Sequence, residues 1–130
     1  MVGTVTNTGS NYKHGLRKVV FNWTSHTDGA ADQVTTEKFT GRLICAQHVP
    51  SAVTAPTTAY DVVVNDDQGT DILGGTGANI TVPGNKTSQA VSSGLPFPCV
   101  VDSTLTLGVT NAGSQKLGKV ILYFADSFIK

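Results

Sequence analysis

Apolar residues in this chain recur at every second position, and no stretch repeats them at the 3.6-residue period of a helix. Between Leu16 and Thr24, Val19, Phe21 and Trp23 alternate with Val20, Asn22 and Thr24, the pattern of a strand that presents one face to a core. Thr27-Asp28-Gly29-Ala30 supplies turn residues, and a second, longer strand is expected from about Val34 to Val49, with Phe39, Leu43, Cys45 and Val49 on one face and a bulge or bend at Gly41. After a loop with Pro50 and Pro56, Tyr60 to Val64 reads as a third strand. Asp66-Asp67-Gln68-Gly69 then turns the chain into a short fourth strand at Ile72-Leu73. Strand patterning returns at Cys99 to Val101, at Thr104 to Thr110, and at Lys119 to Phe124, where Val120, Leu122 and Phe124 oppose Ile121 and Tyr123. Six to eight short strands joined by polar turns predict an all-β chain, an antiparallel β-sandwich of jelly-roll type or a small barrel.

A chain of 130 residues with 39% hydrophobic residues supports one modest core, so a single domain is expected over 16–130. Residues 1–15 hold little apolar material and read as an extended N-terminal arm. Residues 74–98, with their Gly and Pro, read as a long loop with one short strand near Ile80. Nine basic and nine acidic residues cancel, which removes the electrostatic footprint expected of a protein that binds a nucleic-acid backbone or an anionic membrane. Only 14% of residues are charged, so the polar surface is built from Thr, Ser, Asn and Gly, and weak mutual repulsion favours association. No apolar run reaches the length of a membrane span, and Met1-Val2-Gly3-Thr4 lacks the basic and apolar regions of a secretory signal, so synthesis in the cytosol is expected.

The side chains that could carry chemistry are few and dispersed. Cytosolic synthesis favours Cys45 and Cys99 as two buried free thiols over a disulfide, and no CxxC or HxxxH spacing offers a metal site. His14, His26 and His48 lie far apart and read as surface or turn residues. Asp66, Asp67 and Asp71 resemble an oxygen-rich calcium loop, but the closing Glu of an EF-hand is absent and a tight turn explains them. Trp23 with Tyr12, Tyr60 and Tyr123 could form a sugar-stacking platform, yet Trp23 alternates with core positions and is expected to be buried. No catalytic residue, metal or cofactor is assigned, and an enzyme is the class least expected.

Several stretches, taken in order, carry a family likeness: Val20-Phe21-Asn22-Trp23-Thr24, Gly41-Arg42-Leu43, and Ala55 through Val62. They continue with Asp67 through Leu73, Gly77-Ala78-Asn79, and Leu105 through Gly113 running to Gly118-Lys119-Val120. From about residue 17 to 124 the chain resembles small virion structural proteins of tailed bacteriophages, of the capsid decoration or cement type. The resemblance implies a non-enzymatic protein on the capsid exterior that binds the major capsid protein and self-associates as a dimer or trimer. Contacts with the shell or with other subunits are expected from the arm, at Val2, Val5 and Tyr12, and from the long loop, at Leu95 and Phe97. A receptor- or glycan-binding module of a tail or fibre, and a tail-tube or head-completion component, are the alternatives.

Overall fold

A computed structural model describes residues 3–9, 15–35, 37–89, 91–92, 95–96 and 99–125. Among these the chain is all-β, with strands β1 (Thr4–Gly9), β2 (Leu16–Thr24), β3 (Ala31–Val34), β4 (Phe39–Pro50), β5 (Asp61–Asn65) and β6 (Lys86–Ser88). They are followed by β7 (Val91–Ser92), β8 (Leu95–Pro96), β9 (Cys99–Ser103), β10 (Thr106–Thr110) and β11 (Leu117–Ala125). The large sheet runs β1-β2-β11-β4-β6, with β9 also paired to β4, and the small sheet runs β3-β10-β5; neither closes into a barrel. All pairings between these strands are antiparallel.

The two sheets share one core because alternation delivers one side of each strand inward. Val19, Phe21 and Trp23 of β2 and Val120, Leu122 and Phe124 of β11 meet Val62 and Val64 of β5 and Leu107 and Val109 of β10. Aromatic contacts bind the layers: Trp23 lies 5.6 Å from Tyr60 between ring centroids, and Phe39 stacks on Phe124 at 6.0 Å.

Three departures from simple alternation decide what faces where. The long second strand is broken. Its first part, β3, belongs to the small sheet, and the chain crosses to the large sheet before β4. Buried Thr35 anchors the crossing, since its N–H donates to the Leu105 carbonyl at 2.8 Å and its Oγ1 accepts from the Leu105 N–H at 2.9 Å. Beyond it, Glu37 meets buried Arg17 at 2.6 Å, while the Arg17 guanidinium stacks 4.6 Å above the Phe39 ring.

The second departure is a β-bulge at Ile44, three residues past Gly41. Leu43 pairs with Phe124 and Cys45 with Tyr123, so Ile44 is an extra residue against the unbroken β11. One inserted residue reverses the facing of everything after it. Phe39 and Leu43 point inward as expected, but Ala46 and His48 then enter the core in place of Cys45 and Val49.

The third concerns the segments read as arm and loop. Residues 4–9 form β1, paired in continuous register with β2 from Thr4↔Thr24 to Gly9↔Val19. Thr and Val give this stretch the backbone preference of a strand although its apolar content is low. Ile80 makes an isolated bridge to Tyr60, Val62 N–H donates to the Gly77 carbonyl at 2.7 Å, and β6 pairs with β4, so the region from 74 binds the small sheet at β5 and the large sheet at β4. A side chain at Gly77 would collide with the Val62 carbonyl, so glycine is required for that approach. The Ile72-Leu73 stretch lies in turns, held by the Asn65↔Asp71 bridge and a 2.8 Å bond from Ile72 N–H to the Val64 carbonyl.

Candidate interaction surface

The bulge gives His48 an environment that its exposed-surface reading did not anticipate. It is fully buried, and its Nε2 lies 2.8 Å from the Ser88 hydroxyl, which donates its own proton to the Thr76 carbonyl at 2.9 Å. Ser88 has one proton to give, so Nε2 carries the imidazole proton and donates to Ser88. Burial pushes the His48 pKa down to about 4, and Nδ1 has no hydrogen-bond partner among the described residues. A histidine that activates a serine must accept the hydroxyl proton; here the transfer direction is reversed and Ser88 is buried. The pair ties β4 to β6 and does not prime Ser88 as a nucleophile.

The Asp66–Asp71 turn spends its carboxylates on its own backbone. Asp66 Oδ1 accepts from the Gln68 and Thr70 amides at 3.0 and 2.9 Å, and Asp71 accepts from Val64, Leu73 and Gly75 at 3.2, 3.1 and 2.8 Å. No group of three His, Cys, Asp or Glu side chains is placed to hold a metal ion among the described residues. Cys45 and Cys99 are free, half-buried thiols. Burial raises the pKa of both, and the Asp66 and Asp71 carboxylates raise that of Cys99 further, which holds both in the unreactive thiol form.

Trp23 and Tyr60 are buried in the core, so two of the four aromatics of the imagined sugar platform are not on the surface. Tyr123 lies half-buried on the outward side of β11, and Tyr12 lies outside the described residues. Of the expected contact residues, Val2, Tyr12 and Phe97 also lie outside the described residues, and Leu95 is placed by its backbone alone, opposite Ser92 in the β7–β8 hairpin. Val5 pairs with Trp23 and is 8% exposed, so its side chain is already used inside its own chain and offers nothing to a neighbour. The strand period explains this: residue 5 shares the inward face of the large sheet with Trp23.

What the fold does expose is the outer face of the large sheet. In successive rows across the strands lie Thr4, Thr24 and Leu117; then Thr6, Asn22, Lys119 and Val49; then Val20, Ile121 and Gln47; then Lys18, Tyr123 and Cys45. A shallow groove of about 310 Å³ crosses it, lined by Thr4, Thr6, Asn22, Pro50, Leu117 and Lys119. The sequences of β1, β2, β4 and β11 contain no Asp or Glu, and the charges they turn outward are Lys18, Arg42 and Lys119. The small sheet has the opposite sign. Its strands hold no Lys or Arg, its outer face carries Asp32 and Asp61, and Asp28, Asp66, Asp67 and Asp71 occupy the adjoining turns. The large sheet is not free of acid, since β9 turns Asp102 outward beside β4, where it meets Lys38 at 3.5 Å.

No protein-family description matches the chain, and no curated protein or solved structure is significantly similar to it.

Proposed function

We propose that this protein is a structural component of a bacteriophage virion, a decoration or cement protein that binds the assembled capsid through the major capsid protein and stabilises it. The observation that carries this reading is the broad outer face of the large sheet, a rigid surface of Thr, Asn, Val, Tyr and Lys whose strands β1, β2, β11 and β4 contain no carboxylate, with Asp102 of β9 at its edge. A surface of this kind suits contact with another protein surface better than enclosure of a small molecule, which requires a concave, mostly apolar pocket. The resemblance of the ordered strand and turn motifs over residues 17 to 124 to phage decoration proteins supports the same assignment.

The physics of the role is modest per contact. Many identical copies on one shell make weak individual contacts sufficient, because each bound subunit adds to the work of rupture. A ligand that binds only the intact shell stabilises it by mass action. The sandwich meets the requirement of rigidity, since its surface strands are backed by a core that ordered aromatic contacts lock. The test is co-sedimentation of purified protein with expanded shells that lack it. Saturable binding that raises the temperature at which the shells release their contents is expected. Protein that stays in the supernatant at every concentration contradicts the assignment.

A further inference from the structure

We infer that β6 is an acid-released latch: protonation of His48 swings β6 off the edge of β4 while the rest of the sandwich stays folded. The geometry that carries this is the way the strand is attached. β6 is three residues long, Lys86-Thr87-Ser88, with no apolar side chain to anchor it, and Ser88 is the residue it buries. It pairs with β4 over Ala46 to His48. Beyond that its ties are polar. Ser88 links the His48 Nε2 at 2.8 Å to the Thr76 carbonyl at 2.9 Å, and the Thr76 hydroxyl donates to the Gln89 carbonyl at 2.8 Å. An edge strand held without hydrophobic burial belongs to the low-stability end of a fold and opens without global unfolding.

A proton added to His48 is unwelcome where the ring lies. It goes on Nδ1, which has no acceptor among the described residues, and puts a full charge in the core. Among the described residues the elements around the ring offer no counter-charge. Lys86 stands level with His48 on the Ser88 side of β6 and is itself a cation, its ammonium 3.5 Å from the Pro83 carbonyl. β11 presents Val120 at the level of His48 and turns Lys119 and Tyr123 outward. In the turn before Thr76, Asp71 gives its carboxylate to the Val64, Leu73 and Gly75 amides. Burial keeps the Tyr60 hydroxyl and the Cys99 thiol of β9 protonated, and the Arg17–Glu37 pair lies level with Phe124, far along β11 from Val120.

Lifting β6 is the least disruptive route by which the charged ring reaches water, because β6 is the outermost strand on that side of β4 and β11 closes the other. With β6 lifted, His48 returns to its ordinary value of 6.5, against about 4 with β6 in place. Opening is therefore favoured as pH falls through that window and levels off below about pH 4. Between about pH 7 and about pH 5 the opening constant is expected to rise about twentyfold. The opened molecules remain a minority, and what they expose is the unpaired edge of β4 at Ala46 to His48. The device belongs to the isolated chain and stands apart from capsid binding.

Hydrogen–deuterium exchange of the full chain from about pH 7.5 to about pH 4.5, corrected for the intrinsic effect of pH on amide exchange, is the test. The β6 amides bonded to β4 are expected to exchange faster than those of β2 and β11 at every pH and to respond little to low urea, since local opening exposes little surface. Their opening should rise about twentyfold between about pH 7 and about pH 5. His48→Gln keeps an amide donor for Ser88 and cannot take the charge, so that rise should vanish. Ser88→Ala removes the acceptor from Nε2; it should open β6 about tenfold more at neutral pH and keep the acid response. Exchange of β6 at the rate and urea dependence of β2 and β11 overturns the inference, because His48 then titrates only through global unfolding. So does a corrected β6 rate that is flat with pH; both results are read on wild type alone. An equal acid response in His48→Gln overturns it as well.

Discussion

Acidification should destabilise this protein through His48 well before its carboxylates titrate in full. The imidazole titrates near 6.5 when exposed in the unfolded chain, and burial lowers it to about 4 in the folded one. Between these values the unfolded state binds a proton that the native state refuses, so stability rises with pH and is lost as pH falls from 6.5 toward 4. The full shift of about 2.5 units corresponds to about 3 kcal/mol, of which about 1 kcal/mol is gone by about pH 5.5 and between about 2 and 3 kcal/mol by about pH 4.5. Protonation would place a second N–H on Nδ1, which has no acceptor among the described residues, so the native state gains nothing in compensation. Urea unfolding at about half-unit pH intervals, on wild type and on His48→Gln, isolates the effect because carboxylate terms are common to both. The wild type is expected to lose stability more steeply between pH 6.5 and 4.5, with the two curves converging in slope below about pH 4. Parallel curves across that window would refute the argument that His48 is buried neutral.

Other perturbations test the core and the sheet crossing. A side chain at Gly118 would collide with the Trp23 indole, so Gly118→Val should cost about 2–3 kcal/mol and shift the Trp23 fluorescence, read together in a denaturant titration. Thr35→Val keeps the shape at the crossing and removes the acceptor for the buried Leu105 N–H, for an expected loss of about 1–2 kcal/mol in urea and faster hydrogen exchange at Leu105. Glu37→Gln leaves the buried Arg17 guanidinium without its counter-charge and should cost about 1–2 kcal/mol, measured as a shift in the urea midpoint at neutral pH.

Strands β2, β10 and β11 were legible in the sequence because their alternation is uninterrupted, and the burial of Trp23 followed from it. β4 was legible as a strand and misleading as a pattern. Ile44 is as apolar as the residues around it, so nothing in composition marks it as the inserted residue, and the count from Phe39 assigned Cys45 and Val49 to the side that Ala46 and His48 take. The break after Val34 was hidden for a different reason. β3 and β4 are both extended, and the change of sheet at Thr35 is made by hydrogen bonds to Leu105, 70 residues away, which no local pattern encodes. Thr-rich β1 lacked the apolar alternation that a sequence reading relies on, although its backbone pairs with β2 over its whole length.

The interaction surface was legible only in sum. Equal numbers of acids and bases gave no sign that β1, β2, β11 and β4, whose sequences hold no carboxylate, are neighbours in one sheet, because that depends on the pairing order. One trace was present: the strands with the longest apolar alternation, β2 and β11, contain Arg17, Lys18 and Lys119 and no carboxylate.

The proposal that the protein covers a phage shell is tested most directly by cryo-electron microscopy of the native particle that carries this chain. Density for the β-sandwich repeated over the outside of the shell, in contact with the major capsid protein, is the predicted result. Density confined to a tail, a fibre or a single vertex would contradict the account.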